Sequence, residues 1–394
     1  MNCSKYVNLL SLIMYYLKYF LFILFLAFMS CTGQKSGSKI DNDAVATEVE
    51  EIKFPPQDVL QLKSYSLSSP IHTDSVDFLV CYNYKSHSLD YINLKSKLIT
   101  QTILLDEGTN ALTPLTGIYA HTLDSIWVSD ESERIFLIDN AGAIKRTVTL
   151  EKKSRDAEQL LINTNHAMFT SHLYYNEVRQ SLMFLVKDLS SKTFVVRELF
   201  IDKKKENINY ELLPSKIIPD ISIGYTFMDA PNVNFTNENI IYNYPVESSI
   251  YTLNIQTRER KAVTANSQYT ANIVEKVKTG IDYPSLEKCR IQNPHFFEVM
   301  YIPKLKLYAR LHLGEIDYDE KRGMDQLMSD RILYLMLFNE KMEKIGETKL
   351  SGRRYNNFTG WSASYGGIAL FVDNVLDEEN NTEDLIIDIV SPKD

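Results

Sequence analysis

The sequence predicts an all-β protein: a six-bladed β-propeller, with seven blades as the alternative count, behind a lipoprotein signal peptide and a flexible tether. Three observations carry that reading. Beyond residue 53 the apolar runs are short, mostly four to eight residues, and rich in Val, Ile, Tyr and Phe, which is strand composition. The runs recur in groups. Many are apolar on both faces, as a sheet packed between two neighbours requires, whereas a sheet with one wet face would alternate with polar residues.

The clearest unit starts at Asp124. Ser125 to Val128 reads as a strand, Asp130 to Glu133 as a turn, Arg134 to Ile138 as a strand, Asn140-Ala141-Gly142 as a turn, and Ile144 to Leu150 as another strand. Asn and Gly supply the backbone geometry that short hairpins need. The same grammar opens at Ser75, Ser181, Ile240, Phe297 and Ile368, giving anchor spacings of 50, 56, 59, 57 and 71 residues. Propeller blades repeat at about 40–50 residues and lengthen with their loops. The segment around Val59 to Ser66 is the candidate closing strand, since closure hides sheet edges. Helix is expected only at Asp156 to Ile162 and Ala271 to Lys278.

The N-terminal residues read as an address. Tyr19 to Met29 is an eleven-residue apolar run preceded by Lys5 and Lys18, too short to span a bilayer and right for a signal core. Phe28-Met29-Ser30-Cys31 follows and resembles a bacterial lipobox. The resemblance implies lipidation of Cys31, which becomes the first mature residue. Met14 is an alternative start. The expected organisation is signal peptide over 1–30, lipidated cysteine and tether over 31–53, and propeller over 54–394. Acyl chains would anchor the chain to a membrane.

The chain carries 42 basic and 51 acidic residues, a net charge of −9, which excludes nucleic acid as the main partner. Cys81 and Cys289 are expected as two separate thiols. There is no G-x-S-x-G, H-E-x-x-H or P-loop. His166 and His172 are the nearest histidines, too loosely spaced for a zinc pair. No catalytic, cofactor or metal residue is assigned. Asp317-Tyr318-Asp319-Glu320 and Asp377-Glu378-Glu379 lack the EF-hand pattern and read as solvated loops. Gly314 to Asp330, inserted between two strands, is the best candidate for a partner-contacting loop. Trp127 is expected in the core and Trp361, among glycines, on the surface; Tyr174, Tyr175, Tyr242, Tyr244 and Tyr365 fall near strand ends, where they pack blades or form a platform. Asp74-Ser75-Val76 and Asp124-Ser125-Ile126 resemble an O-glycosylation acceptor, making Ser75 and Ser125 candidate modification sites.

Together Ser30-Cys31, the blade grammar, Tyr244-Pro245 to Ser249-Ile250-Tyr251, and Asn293-Pro294-His295-Phe296-Phe297 resemble an uncharacterised Bacteroidota lipoprotein family with a six-bladed β-propeller. The resemblance covers roughly residues 50–394 and implies no reaction and no catalytic residues. Surface-displayed members of that phylum carry acidic residues after the cysteine. Here Lys35 and Lys39 stand in that segment, so the expected place is the periplasmic face of the outer membrane. The expected function is a non-catalytic binding or scaffold module for a protein, peptide or glycan partner. The alternative is a propeller hydrolase or lyase with a metal-assisted site at the central channel, drawing on Asp130, Asn243, His295 and Asp373.

Overall fold

Six antiparallel sheets follow one another along the chain of this computed structural model. It describes residues 46–55, 62–73, 76–105, 112–148, 150, 157–162, 169–202, 205–218, 228–275, 283–355, 360–374, 376–377 and 384–393. The first strand, β1 (Thr47–Lys53), belongs to the last blade. Blade one is β2 (Ser68–His72), β3 (Asp77–Asn83), β4 (Ser88–Asn93) and β5 (Leu98–Leu104). Blade two is β6 (Leu115–Thr122), β7 (Ser125–Asp130), β8 (Ile135–Ile138) and β9 (Ile144–Val148).

In blade three the first strand is split: β10 (Glu158–Leu161) and β11 (Tyr174–Asn176) pair with opposite ends of β12 (Ser181–Asp188), followed by β13 (Thr193–Phe200) and β14 (Ile208–Glu211). Blade four is β15 (Asn232–Phe235), β16 (Asn239–Asn243), β17 (Ile250–Asn254) and β18 (Arg260–Val263). Helix α1 (Tyr283–Ile291) leads into blade five, made of β19 (His295–Ile302), β20 (Leu307–Leu313), β21 (Leu333–Phe338) and β22 (Lys344–Lys349). Helix α2 (Met324–Asp330) lies between β20 and β21. Blade six is β23 (Trp361–Ala363), β24 (Ile368–Phe371), β25 (Ile386–Pro392) and, outermost, β1.

The two-sided strands have a simple cause. Six apolar clusters each join one pair of adjacent blades. In β3, Phe78, Val80 and Tyr82 pack toward blade two, while Leu79 and Cys81 pack toward blade six. Each such side chain contributes roughly 1.5–3 kcal/mol when fully buried. The inner strands thus bury both faces, while outer strands such as β9 stay largely exposed.

Buried tyrosines tie the blades to buried carboxylates. Tyr65 Oη donates to Asp90 at 2.7 Å, Tyr210 Oη to Glu198 at 2.6 Å, and Tyr355 Oη to Asp388 at 2.8 Å. Burial and the neighbouring carboxylate push these phenols far above their ordinary range, so they remain donors. Hairpins use few glycines because Asx turns replace them. Asn254 Oδ1 accepts from the Gln256 and Thr257 amides, and Arg258 closes the turn with φ 63°; Asp188 Oδ1 likewise accepts from the Ser190 and Ser191 amides, and Lys192 closes that turn with φ 56°.

Several expectations are corrected. The ring is closed by β1, whose residues Thr47 to Lys53 pair antiparallel with Pro392 to Ile386; of the segment expected to close it, around Val59 to Ser66, residues 59–61 lie outside the described residues and 62–66 form no strand. The last residues of the stretch expected as tether, 47–53, are therefore propeller. Its Glu48, Glu50 and Glu51 sit on an exposed outer edge, where charge discourages further pairing. The helix expected at Asp156 to Ile162 contains β10 instead, and the described part of Ala271 to Lys278 is non-helical, with Ile273 bridging to Glu247. Trp361 is 3% exposed, enclosed between blades five and six. The Gly314 to Asp330 insertion is anchored, since Leu327 and Met328 of α2 are core residues. Trp127 is buried and Cys81 and Cys289 are free thiols, as expected.

Candidate functional site

The first strands of the blades surround a cavity of about 180 Å³ that shares its walls with a wider mouth of about 1060 Å³. The mouth lies at the end where first and second strands are joined, at Thr73 and Val76, Leu123 and Asp124, Asn237 and Glu238, and Pro303. Pockets that take small ligands occupy about 300–1,000 Å³ and combine apolar walls with few polar groups.

The chemistry of the cavity begins with a β-bulge. In β19 the register runs Phe296 to His312 and then Val299 to Arg310, so Phe297 and Glu298 together oppose Leu311. Bulges re-aim side chains, and this one accompanies the placing of Glu298 on the cavity wall beside Met300. Glu298 is 2% exposed and hydrogen-bonded to His172 Nε2. His172 stands just before β11, where its amide donates to Val233 O of β15 at 3.2 Å. Burial alone would favour a neutral imidazole, but the Glu298 carboxylate reverses that and holds the His172 pKa above its ordinary value.

A second imidazole, His72, lines the same space and is backed by the Asp77 carboxylate. Asp77 Oδ1 lies 2.9 Å from His72 Nδ1 and also accepts the Tyr365 amide at 3.2 Å. The His72 side chain is 10% exposed, and its Nε2 has no hydrogen-bond partner among the described residues. Aromatic rings from successive blades form the remaining wall. Tyr119 meets Tyr174 edge-on at 5.1 Å, and Tyr174 stacks on Phe235 at 5.3 Å. Tyr174 Oη donates to Asn237 Oδ1 at 2.7 Å. Burial, then Glu177 nearby, pushes the Tyr119 phenol up to about 12.

Of the residues picked from sequence, Cys31, Ser75 and His166 lie outside the described residues. Ser125 is half-buried at the start of β7, beside the mouth residue Asp124. Asp130 ends β7 and is held by Arg134 Nη2 at 2.6 Å. Asn243 donates to Phe296 O at 3.4 Å, His295 is 4% exposed at the start of β19, and Asp373 follows β24. Among the described residues no three His, Cys, Asp or Glu side chains could hold a metal ion, so these four do not form the metal centre of the alternative reading. Tyr174 and Tyr365 do belong to the mouth, while Tyr175, Tyr242 and Tyr244 pack between blades. The sequence carries no local signal for the His172–Glu298 pair, whose members are 126 positions apart.

Comparison with known proteins places this geometry in a family. No curated protein matches the chain. A member of the DUF4221 family from Bacteroides vulgatus has a similar crystal structure, with a TM-score of 0.73 at 14% identity, covering 88% of this chain and 99% of that one. A Bacteroides fragilis protein proposed to be exported is similar with a TM-score of 0.52 at 14% identity, covering 90% of this chain and 97% of that one. At such identities the likeness shows the fold alone. The family described as "Domain of unknown function (DUF4221)" matches residues 40–349, and the chain therefore belongs to this uncharacterised Bacteroidota propeller family.

Proposed function

We propose that this protein is an exported, lipid-anchored binding module that receives its ligand at the channel mouth. The observation that carries the reading is the mouth itself: a wide opening with aromatic walls above two carboxylate–imidazole pairs. The apolar run, Ser30-Cys31 and the polar segment after it support lipidation at Cys31 and attachment at the periplasmic face of the outer membrane. Similarity to a protein proposed to be exported agrees with that address. No ligand-metal step is assigned. O-glycosylation at Ser75 and Ser125 is a separate proposal, read by intact mass of protein from its native host.

A photoreactive residue replacing Tyr301 in the mouth tests the binding reading, with Tyr84, exposed on the turn between β3 and β4, as the control position. Adducts in native membranes are expected from position 301 and not from 84. Adducts from 84 alone, or none from 301, overturn the reading.

A further inference from the structure

The walls of the channel and its mouth carry a consistent charge. Asp124, Glu238 and Glu340 stand on the mouth, all exposed, and Glu298 stands below them, buried. Neither space is lined by a lysine or an arginine among the described residues, although the chain has 42 of them. Four carboxylates therefore share these walls with three histidines, His72, His121 and His172, and with no lysine or arginine among the described residues.

The second property is aromatic. Tyr119, Tyr174, Phe235, Tyr301 and Trp361 line the inner cavity, from five different blades. Aromatic faces carry negative potential and attract cations, most strongly where water is excluded. Rings with a buried carboxylate below and acidic groups around the opening suit an organic cation better than a neutral or anionic molecule. The low-dielectric walls also focus the field of the rim. The His72 side chain is nine-tenths buried and its Nε2 has no hydrogen-bond partner among the described residues, which leaves one hydrogen-bonding group for a ligand atom.

Resting on the reading of the mouth as a binding site, we infer that its ligand class is an organic cation, an ammonium or guanidinium group on a chain slim enough to enter the channel. The cation sits among the aromatic rings and contacts Glu298 alongside His172.

Calorimetric titration of the full chain in a neutral maltoside detergent tests this with choline, its uncharged carbon isostere 3,3-dimethylbutan-1-ol, the anion 3,3-dimethylbutyrate, and glucose. Choline is expected to bind, with the isostere about tenfold weaker because only the charge differs. Glu298→Gln and Tyr301→Leu should each weaken choline while thermal melting confirms that the variants are folded. Equal binding of choline and isostere overturns the inference, as does preference for the anion or for glucose. Those latter outcomes leave the mouth standing as a binding site for another class. Silence toward all four probes also overturns it, and the Tyr301 cross-link then decides separately whether the mouth binds anything.

Discussion

His172 and Glu298 flank β15 from opposite sides: His172 by its amide bond to Val233 O, Glu298 from β19, whose Val299 carbonyl accepts from Asn234 Nδ2 at 3.1 Å. The pair thereby joins blades three and five over the first strand of blade four. Because Glu298 raises the His172 pKa, its contribution to stability is full below the unfolded value near 6.5 and is lost as pH rises through the folded value. Glu298→Gln should cost about 1.5–3 kcal/mol at pH 6 and clearly less at pH 9. Chemical denaturation of both proteins at the two pH values checks it; an equal loss at both contradicts the pairing.

Closure by β1 gives the second prediction. Arg354 reaches Asp388 of β25 at 2.6 Å and Glu51 of β1 at 2.8 Å, and Ile52 is buried in the cluster between blades six and one. A chain beginning at Ala46 should melt like the mature protein, and one beginning at Phe54 should melt far lower and less cooperatively. Equal melting curves would remove β1 from the fold. Gly367 reports on the same blade, because a Cβ there would lie 2.4 Å from Val390 O. Gly367→Ala should cost about 1–3 kcal/mol through overpacking.

A buried polar knot sets acid stability. Glu347 accepts from Ser267 Oγ at 2.5 Å and the Gln268 amide at 2.9 Å, and lies 3.2 Å from His312 Nε2 and 3.1 Å from Lys344 Nζ. Burial opposes its charge, but these bonds outweigh it and draw the carboxyl down to about 2. Burial also lowers the His312 pKa, against the pull of Glu347. Both groups bind fewer protons folded than unfolded, so their stability is present at neutral pH. It falls below pH 6.5 for His312 and below 4.5 for Glu347. Glu347→Gln should cost about 3–5 kcal/mol at pH 7 and flatten the loss of melting temperature between pH 4.5 and 2, the window over which the folded and unfolded carboxyls differ. An unchanged slope would show that the knot does not set acid stability.

The insertion in blade five separates anchoring from exposure. Leu327 is fully buried and Asp319 is exposed. Leu327→Ala should cost about 2–5 kcal/mol, whereas Asp319→Ala should stay within about 0.5 kcal/mol. Urea unfolding of each variant distinguishes them, and a neutral Leu327→Ala would detach α2 from the core.

Blade architecture is legible in the sequence because each inner strand must satisfy two neighbouring blades, which writes continuous apolar runs such as Ile135 to Ile138. The closing strand is harder to read. Its seven residues include three glutamates because it lies on the outside of its blade, and polar composition there resembles a tether. Trp361 misleads for the opposite reason: its neighbouring glycines suggest a surface loop, yet it opens β23 directly after Gly360, whose φ is 93°, and its ring is buried between blades five and six. The channel pair is invisible locally, since it depends on a bulge in β19 and on two distant blades meeting at β15. Tyr174 and Tyr365 are recognisable as aromatic residues at strand ends, but sequence alone does not separate them from Tyr242 and Tyr244, which only pack blades.

Crystals soaked with (2-bromoethyl)trimethylammonium test the ligand seat most directly, because bromine marks its own position by anomalous scattering. The predicted result is one strong peak inside the channel mouth, with the ammonium group among Tyr119, Tyr174 and Phe235 and within reach of Glu298. Peaks confined to the outer strands, or an empty channel at saturating compound, would contradict it.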